Sequence, residues 1–436
     1  MTPMTTNTPF PELTLDPDYK GFPFTAEPCR ASEIAGRGWN ILADDLPFPI
    51  AVLQRSALEH NLAWMHDYTQ RKGVLLAPHG KTTMSPELFA AQLETGAWGM
   101  TFATAYQASV GIRSGARRII IANQVVCDAD LDALDALLAQ TDGLRIWFLV
   151  DSLAQVALIE DWAARRARAR RFEVLLEMGI PGKRTGCRTL EEALAVAEAI
   201  SRSSAVCLAG VEVYEGSVAN CDSEHDARAV TELVRRVVEV ARACDARALW
   251  SQGDDHILLT AGGSAVFDLV IPLLRTQGLS RPVHGVLRAG CYITHDHLNY
   301  ARFLGQLEKR EGLDRSLRPA LSVWSMVESV PEPGLALLTC GRRDISYDLE
   351  MPVALRIARR GERSAQAVQS APAAWSITAL NDQHAYLSFD PAGTAPAVGD
   401  RVELGISHPC TTFDKWRWVP IVEDDGRVTG AIHTRF

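Results

Sequence analysis

The sequence predicts an α/β fold, a (β/α)8 TIM barrel followed by a C-terminal all-β domain. Eight short apolar runs alternate with helical patterns over about 220 residues, which is the size of one closed barrel. Strands that alternate with helices of this length pair in parallel. From about Arg318 the chain changes to short strand-like runs between Gly, Pro and Asp turns, which indicates an all-β domain. An open sheet of eight strands is the alternative for the first part.

The predicted elements follow one another in a regular order. Residues 1–46 show no sustained period and are expected to pack on the β-domain, the barrel to cover 47–315 and the β-domain 316–436. PFPIAVLQRSALEHNLAWMHDYTQRKG predicts an amphipathic helix to about Arg71. The eight strands are GVLLAP, WGMTFA, RRIIIA, RIWFLV, FEVLLEM, VCLAGVEV, HILLTA and VHGVLRA. The helices between them are PELFAAQLETG, TAYQASVGIRSG, DADLDALDALLAQ, DSLAQVALIEDWAARRARARR, TLEEALAVAEAISRS, DSEHDARAVTELVRRVVEVARA and GSAVFDLVIPLL.

Composition excludes several classes of partner. The chain has 436 residues, 47% of them hydrophobic, and a net charge of −9, so nucleic acid and anionic membranes are not expected partners. No apolar run approaches the roughly 18–20 residues that span a bilayer, and the first residues lack a secretory pattern. The nine cysteines form no CxxC pair. These features predict a cytoplasmic protein with reduced thiols.

Two loops at the predicted mouth of the barrel could bind the two ends of one cofactor. Active sites of such barrels collect where the strands end, and Lys81 follows the first strand in PHGKTT. A lysine amine there can form a Schiff base. Gly262, Gly263 and Ser264 follow the seventh strand, where backbone N–H groups can bind phosphate. A Schiff-base lysine and a phosphate loop together predict pyridoxal 5′-phosphate.

Three further side chains follow barrel strands. Arg184 comes after the fifth strand and is a fixed cation suited to the oxygen or nitrogen of the cofactor ring. Tyr214 follows the sixth strand and Tyr292 the eighth. Either tyrosine could stack on the cofactor or hydrogen-bond to it.

A second motif, SHPCTTFDKWR, lies near the end of the chain. Its His408 and Cys410 are two residues apart and in an extended segment would point to the same side. An imidazole and a thiolate are ligands suited to Zn²⁺, and two ligands leave positions for water or substrate, as a catalytic metal requires. We therefore predict that His408 and Cys410, called the metal pair below, bind one metal ion in the β-domain.

PHGKT, AGGS, RAGCY and HPC together resemble the fold-type III pyridoxal-phosphate enzymes that unite D-threonine aldolases and zinc-dependent D-serine dehydratases, relatives of alanine racemase. The resemblance covers most of the chain and implies an alanine racemase-type barrel and a homodimer.

Residue by residue, the resemblance implies that Lys81 forms the Schiff base. It implies that the 262–264 turn and Tyr292 bind the phosphate, and that His408 and Cys410 bind the metal. Arg184 and Tyr214 match active-site positions, and His79 of PHGKT joins the cofactor-binding set. Ser217 stands where relatives often show histidine, and NDQHAY implies that His384 lies near the site. Aldolases of the family tend to show Asp at the position of Cys410, so the thiolate favours the dehydratase branch and zinc.

The resemblance implies a lyase that deaminates a β-hydroxy D-amino acid to a 2-keto acid and ammonia. Lys81 would take the Cα proton, and zinc would bind the β-hydroxyl as a Lewis acid. Retro-aldol cleavage to glycine and an aldehyde is the main alternative. A racemase and a non-catalytic protein that only binds pyridoxal phosphate are the further alternatives. The substrate stays open among D-serine, D-threonine and D-3-hydroxyaspartate.

Overall fold

The computed structural model describes residues 10–168, 170–252 and 255–436. Its strands are β1 (Thr14–Leu15), β2 (Cys29–Arg30), β3 (Ile50–Gln54), β4 (Leu75–Leu76), β5 (Met100–Phe102), β6 (Arg118–Gln124), β7 (Arg145–Val150), β8 (Phe172–Met178), β9 (Val206–Val213), β10 (Ile257–Ala261), β11 (Val283–Leu287), β12 (Leu321–Glu332), β13 (Leu335–Leu338), β14 (Val353–Ala358), β15 (Gln369–Ser370), β16 (Ser376–Leu380), β17 (Ala385–Ser388), β18 (Arg401–Gly405), β19 (Trp418–Val422) and β20 (Val428–His433). Its α-helices are α1 (Arg55–Lys72), α2 (Pro86–Glu94), α3 (Ala105–Arg113), α4 (Asp128–Gln140), α5 (Leu153–Arg165), α6 (Leu190–Arg202), α7 (Ser223–Ala246), α8 (Ile271–Leu274), α9 (Asn299–Glu311) and α10 (Cys410–Phe413). None of the described helices combines the length and apolarity needed to cross a membrane.

The first large unit is the predicted barrel. Strands β4 to β11 form one parallel sheet in which neighbours in sequence are neighbours in space, and β11 pairs back onto β4. Between β4 and β5 the wall is completed by backbone hydrogen bonds from Trp98 N to Leu76 O and from Thr101 N to Pro78 O, both 2.8 Å. All eight predicted strands are present, so the barrel prediction is confirmed. Its interior is packed with Ala77, Ile120, Trp147, Leu149, Leu175, Ala209, Leu258 and Val286.

The second unit is a mostly antiparallel sheet, as the C-terminal pattern predicts. Its order runs β15, β14, β18, β12, β13, β17, β16, and β19 pairs with β20. The long strand β12 pairs with β18 and β3 through its first half and with β13 through its second half. His408 lies in the loop between β18 and α10, and Cys410 is the first residue of α10, so this sheet positions the predicted metal pair.

The N-terminal segment lies on the β-domain over its described part. The indole Nε1 of Trp418 donates to the carbonyl of Lys20 at 2.8 Å, and the backbone N–H of Ile41 donates to the carbonyl of Gly426 at 3.0 Å. Residues 1–9 lie outside the described residues. These contacts join the N-terminal segment to β19 and to the turn between β19 and β20.

Two helix predictions were wrong. The helix predicted to start before residue 55 begins at Arg55, and Ile50–Gln54 is strand β3. The first four residues of β3 are all buried, which suits a central strand covered on both faces better than an amphipathic helix with one polar side. The helix predicted over 263–274 is limited to Ile271–Leu274. Pro272 explains the loss, because its ring clashes with the carbonyl four residues earlier and removes a helical hydrogen bond.

Candidate active site

A cavity of about 700 Å³ lies where the carboxyl ends of the barrel strands meet the β-domain. Residues from both units line it, so it is not a pocket of the barrel alone. The predicted site residues that line it are His79, Lys81, Arg184, Tyr214, Gly262, Gly263, Ser264, His408 and Cys410. The cofactor loops of the barrel and the metal pair of the β-domain therefore line the same cavity.

Two predicted residues lie elsewhere. Tyr292 is 3% exposed and does not line the cavity, and burial raises the pKa of its phenol well above its usual value. Tyr300, which sequence reasoning did not single out, is the tyrosine of this region that lines the cavity. The imidazole Nε2 of His384 lies 2.9 Å from a carboxylate oxygen of Glu328 in the β-domain and is not part of the lining.

Lys81 lies in a single turn of 3-10 helix, Gly80–Thr82, which begins four residues after the end of β4. The turn is pressed against the barrel core, because a Cβ at Gly80 would lie 2.4 Å from the Phe102 ring and 2.9 Å from the Phe89 ring. Only glycine permits this approach. The packing therefore fixes the position from which the Lys81 amine enters the cavity.

His79, two residues before Lys81, carries an unsatisfied buried atom. Its Nδ1 has no hydrogen-bond partner among the described residues. Burial lowers the pKa of its imidazole well below the usual value, and the nearby charges of Lys81 and Arg288 act in the same direction. A neutral imidazole with an unpaired nitrogen beside the predicted Schiff-base lysine fits a bound polar group, and pyridoxal phosphate is such a group.

The glycine turn after β10 already has a partner in Glu215. The backbone N–H groups of Gly262 and Gly263 donate to its two carboxylate oxygens at 2.9 and 2.6 Å. Glu215 is fully buried, and burial raises the pKa of its carboxyl group. Both amides are paired in this structure, so within the predicted phosphate loop the Ser264 hydroxyl is the side-chain donor left for an anion. Sequence reasoning missed Glu215, although an acid directly after a barrel strand, in YEGS, was its signal.

Arg184 and Tyr214 meet at one side of the cavity. The guanidinium carbon of Arg184 lies 4.6 Å from the centroid of the Tyr214 ring, a cation–π contact. Tyr214 is half-buried, and burial raises the pKa of its phenol. Ser217 donates its hydroxyl hydrogen to the Tyr214 carbonyl at 3.2 Å. Arg184 therefore presents its charge next to an aromatic face that a planar cofactor could share.

A buried ion pair that sequence reasoning missed also lines the cavity. The guanidinium of Arg288 lies 2.8 Å from the carboxylate of Glu212 and donates to Thr260 Oγ1 at 2.9 Å. Both ionic side chains are less than 5% exposed. Burial raises the pKa of Glu212 to about 8. This pair gives the cavity a charged wall, in which Glu212 is the last but one residue of β9 and Arg288 directly follows β11.

The predicted metal pair is positioned differently from the sequence expectation. The segment is not extended, because Pro409 has helical dihedrals (φ −60°, ψ −43°) and α10 begins at Cys410. His408 and Cys410 nevertheless both line the cavity. The Nδ1 atom of His408 lies 2.6 Å from a carboxylate oxygen of Asp348, a partner that sequence reasoning missed.

This environment suits a transition metal. A carboxylate on one ring nitrogen of histidine is the usual arrangement around a metal-binding imidazole, and it leaves Nε2 as the ligand atom. The Sγ of Cys410 lies 3.9 Å from that of Cys291; their hydrogen bond lowers the pKa of the Cys291 thiol and raises that of Cys410. Across residues 10–168, 170–252 and 255–436, no three or more His, Cys, Asp or Glu side chains already form a metal cluster.

Two family models match the chain. Residues 53–253 match the alanine racemase N-terminal domain, and residues 320–422 match the putative serine dehydratase domain. The chain is 27% identical to a D-threonine aldolase from an Arthrobacter species over 86% of this chain and 89% of the aldolase. It is 31% identical to the D-threo-3-hydroxyaspartate dehydratase of Delftia sp. (strain HT23) over 47% of this chain and 53% of that protein.

Solved structures show the same fold. The D-threonine aldolase from Filomicrobium marinum superposes with a TM-score of 0.73 at 22% identity, covering 91% of this chain and 97% of the aldolase. A metal-free form of D-threo-3-hydroxyaspartate dehydratase, with a cysteine replaced by alanine, gives a TM-score of 0.68 at 22% identity over 91% and 99% of the two chains. Both matches extend through the barrel and the β-domain.

Proposed function

Because the chain belongs to the fold-type III pyridoxal-phosphate enzymes, we propose that it is a pyridoxal-phosphate- and metal-dependent lyase of β-hydroxy D-amino acids. The reaction we favour is the β-elimination of water from a D-serine-like substrate to give a 2-keto acid and ammonia. The observation that carries the proposal is that Lys81, His408 and Cys410 line one cavity. The cavity therefore offers one small substrate both an amine base for the Cα proton and a metal site for the β-hydroxyl.

The residues that line the cavity have separate roles in holding the cofactor and moving the Cα proton. Lys81 would hold the cofactor aldehyde and, once the substrate amine has replaced it, would take the Cα proton with Nζ. Ser264 would donate to the cofactor phosphate, and the unpaired Nδ1 of His79 would meet a polar atom of the cofactor. Arg184 and Tyr214 would form the wall along its ring. When bound, pyridoxal phosphate would supply an electron sink for the electron pair that remains when the Cα proton is removed.

His408 and Cys410 would hold the metal, which we propose to be zinc because an imidazole and a thiol are the available donors. When bound there, the metal would supply Lewis acidity at the β-hydroxyl. Asp348 would keep the His408 ring oriented with Nε2 toward the cavity. The similarity to a dehydratase with a solved metal-free form supports this part of the proposal.

Retro-aldol cleavage is the second candidate. It is favoured by the D-threonine aldolase similarity, which spans 86% of this chain, against 47% for the dehydratase. Both reactions would use the same cavity and the same metal, and they differ in which bond of the substrate breaks. Elimination breaks the bond from Cβ to oxygen, whereas aldol cleavage breaks the bond from Cα to Cβ.

The test is a product assay on D-serine, D-threonine and both diastereomers of D-3-hydroxyaspartate with the cofactor-loaded enzyme. Keto acid and ammonia in equal amounts would support elimination, and glycine with an aldehyde would instead establish aldol cleavage. Lys81→Ala should lower either activity by about 10²–10⁴-fold, whereas Lys309→Ala, which alters an exposed lysine, should retain it. Schiff-base absorbance with no product from any substrate would establish the non-catalytic alternative and overturn the proposal.

We also propose a homodimer and a cytoplasmic location. All nine cysteines are free thiols in the structure, which is the state expected in a reducing compartment. Light scattering coupled to size-exclusion chromatography tests the first point. A mass of about 48 kDa, that of one chain, would contradict the dimer.

A further inference from the structure

Cys291 and Cys410 bring two thiols from different units of the protein together. Cys291 follows β11 of the barrel, whereas Cys410 begins α10 of the β-domain. Their Sγ atoms lie 3.9 Å apart. The hydroxyl of Thr82 lies 3.6 Å from the Sγ of Cys291 and 3.5 Å from that of Cys410. Both cysteines line the candidate active-site cavity, yet the two-ligand metal site described above gives Cys291 no role.

The distance between the sulfur atoms matches two ligands of one ion. With zinc–sulfur bonds of about 2.3 Å and tetrahedral angles, two thiolates on one zinc lie about 3.8 Å apart. A disulfide would need sulfur atoms about 2.0 Å apart, and both cysteines are free. The pair is therefore spaced as metal ligands are, and not as a cross-link.

The backbone around Cys291 holds its thiol in place. Its N–H donates to Ser264 Oγ at 3.1 Å, which ties it to the turn after β10. The preceding Gly290 packs so tightly on His79 that a Cβ would lie 2.4 Å from the His79 carbonyl oxygen. Cys291 is 4% exposed. A thiol fixed in this way loses little side-chain entropy when it binds a metal.

We propose that Cys291 is a third protein ligand of the metal, which makes the centre a Cys2His site with one position open to the substrate. This inference rests on the metal part of the proposed function. Two thiolates, one imidazole and an open fourth position form a known arrangement of catalytic zinc. Because no three ligand-type side chains converge in the described residues, we expect metal entry to draw the His408 side chain toward the thiol pair.

A second thiolate has a chemical consequence. Soft sulfur ligands select zinc and disfavour the hard ions magnesium, calcium and manganese. The additional negative charge also makes the metal a weaker Lewis acid, so it moderates the polarisation of the substrate hydroxyl. We therefore expect a tight, zinc-selective centre.

The test is the number of sulfur scatterers around zinc, measured by X-ray absorption on the zinc- and cofactor-loaded enzyme under reducing conditions. Two sulfur atoms are expected in the natural protein and one in Cys291→Ser. Zinc affinity, measured by competition with a chromophoric chelator, should fall at least about tenfold in Cys291→Ser. Cys244→Ser is the control, because Cys244 is a buried cysteine of α7 that does not line the cavity.

The outcomes separate the two proposals. One sulfur atom in the natural protein, or an unchanged sulfur count in Cys291→Ser, would overturn the role of Cys291 and leave the metal-dependent function standing. Failure of the natural protein to bind zinc at all would overturn both. If Cys291→Ser does not fold, the sulfur count of the natural protein alone decides.

Discussion

The imidazole of His408 and the carboxylate of Asp348 lie 2.6 Å apart, although 60 residues separate them in the chain. The carboxylate fixes which ring nitrogen faces the cavity and strengthens that nitrogen as a ligand. We expect Asp348→Asn to weaken metal binding by about 10–100-fold. Metal affinity measured by chelator competition checks this. Asp382→Asn, which alters an exposed carboxylate paired with Arg343, is the control and should leave the affinity unchanged. Equal affinity in Asp348→Asn and the natural protein would contradict a metal at His408.

Reduction with borohydride should attach the cofactor to Lys81. The natural, cofactor-loaded protein should give one pyridoxyl-labelled peptide containing residue 81, found by mass spectrometry. Lys81→Ala should give none and should lose about 10²–10⁴-fold in activity, because its base is missing. The control variant Lys309→Ala, which alters an exposed lysine, should be labelled at residue 81 like the natural protein. A label on another lysine would refute the assignment.

Replacing Glu215 should weaken cofactor binding. Its two oxygens accept from Gly262 N and Gly263 N, and the amide of Glu215→Gln offers one acceptor and turns a donor toward the second N–H. An unsatisfied buried N–H would cost about 1–3 kcal/mol, and the turn can avoid that cost by leaving the position in which Ser264 meets the phosphate. The Kd for pyridoxal phosphate should therefore rise by about tenfold or more. Fluorescence titration of the cofactor measures this. Glu224→Gln, an exposed glutamate in the first turn of α7, should bind normally. An unchanged Kd would show that the turn keeps its shape without the carboxylate.

Acid should destabilise the protein through His295. Burial lowers the pKa of its imidazole from 6.5 to about 4. The folded protein therefore binds fewer protons at this site than the unfolded chain does, and the free energy of unfolding falls as the pH drops from about 6.5 toward 4. The loss from this residue is up to about 3 kcal/mol.

The matching variant is His295→Asn. His295 has a positive φ of 47°, which asparagine tolerates better than other side chains, so the change removes the titrating ring with little backbone strain. Urea unfolding at pH 7.5 and pH 5 should show a smaller loss of stability for the variant than for the natural protein. Equal losses would exclude His295 as a source of the acid sensitivity.

Much of the fold was predictable because of how parallel strands are buried. All eight residues of β9, Val206–Val213, are buried, so the strand appears in the sequence as an apolar run that only Glu212 interrupts. The same property misled the prediction for Ile50–Gln54, since the sequence does not say whether such a run belongs to the helix that follows or to a distant sheet. Pro272, by contrast, is a signal in the sequence itself that the helix predicted over 263–274 is interrupted.

The site was predictable only where a residue follows a strand. Lys81 and Arg184 occupy such positions, and both line the cavity. Asp348 lies in a segment without regular structure, and its relation to His408 depends on the folding of the whole β-domain. The pairing of Cys291 with Cys410 spans 119 residues and two structural units, and no local pattern indicates it.

Strand β3 has a consequence for how the molecule can be divided. It pairs with β12 on one side and with β19 on the other before the chain enters α1. A fragment that begins at residue 316 would lack this strand and would carry two open edges, which favour aggregation. The C-terminal part is therefore not an autonomous module, and attempts to express or exchange it should include residues 50–54 as a graft.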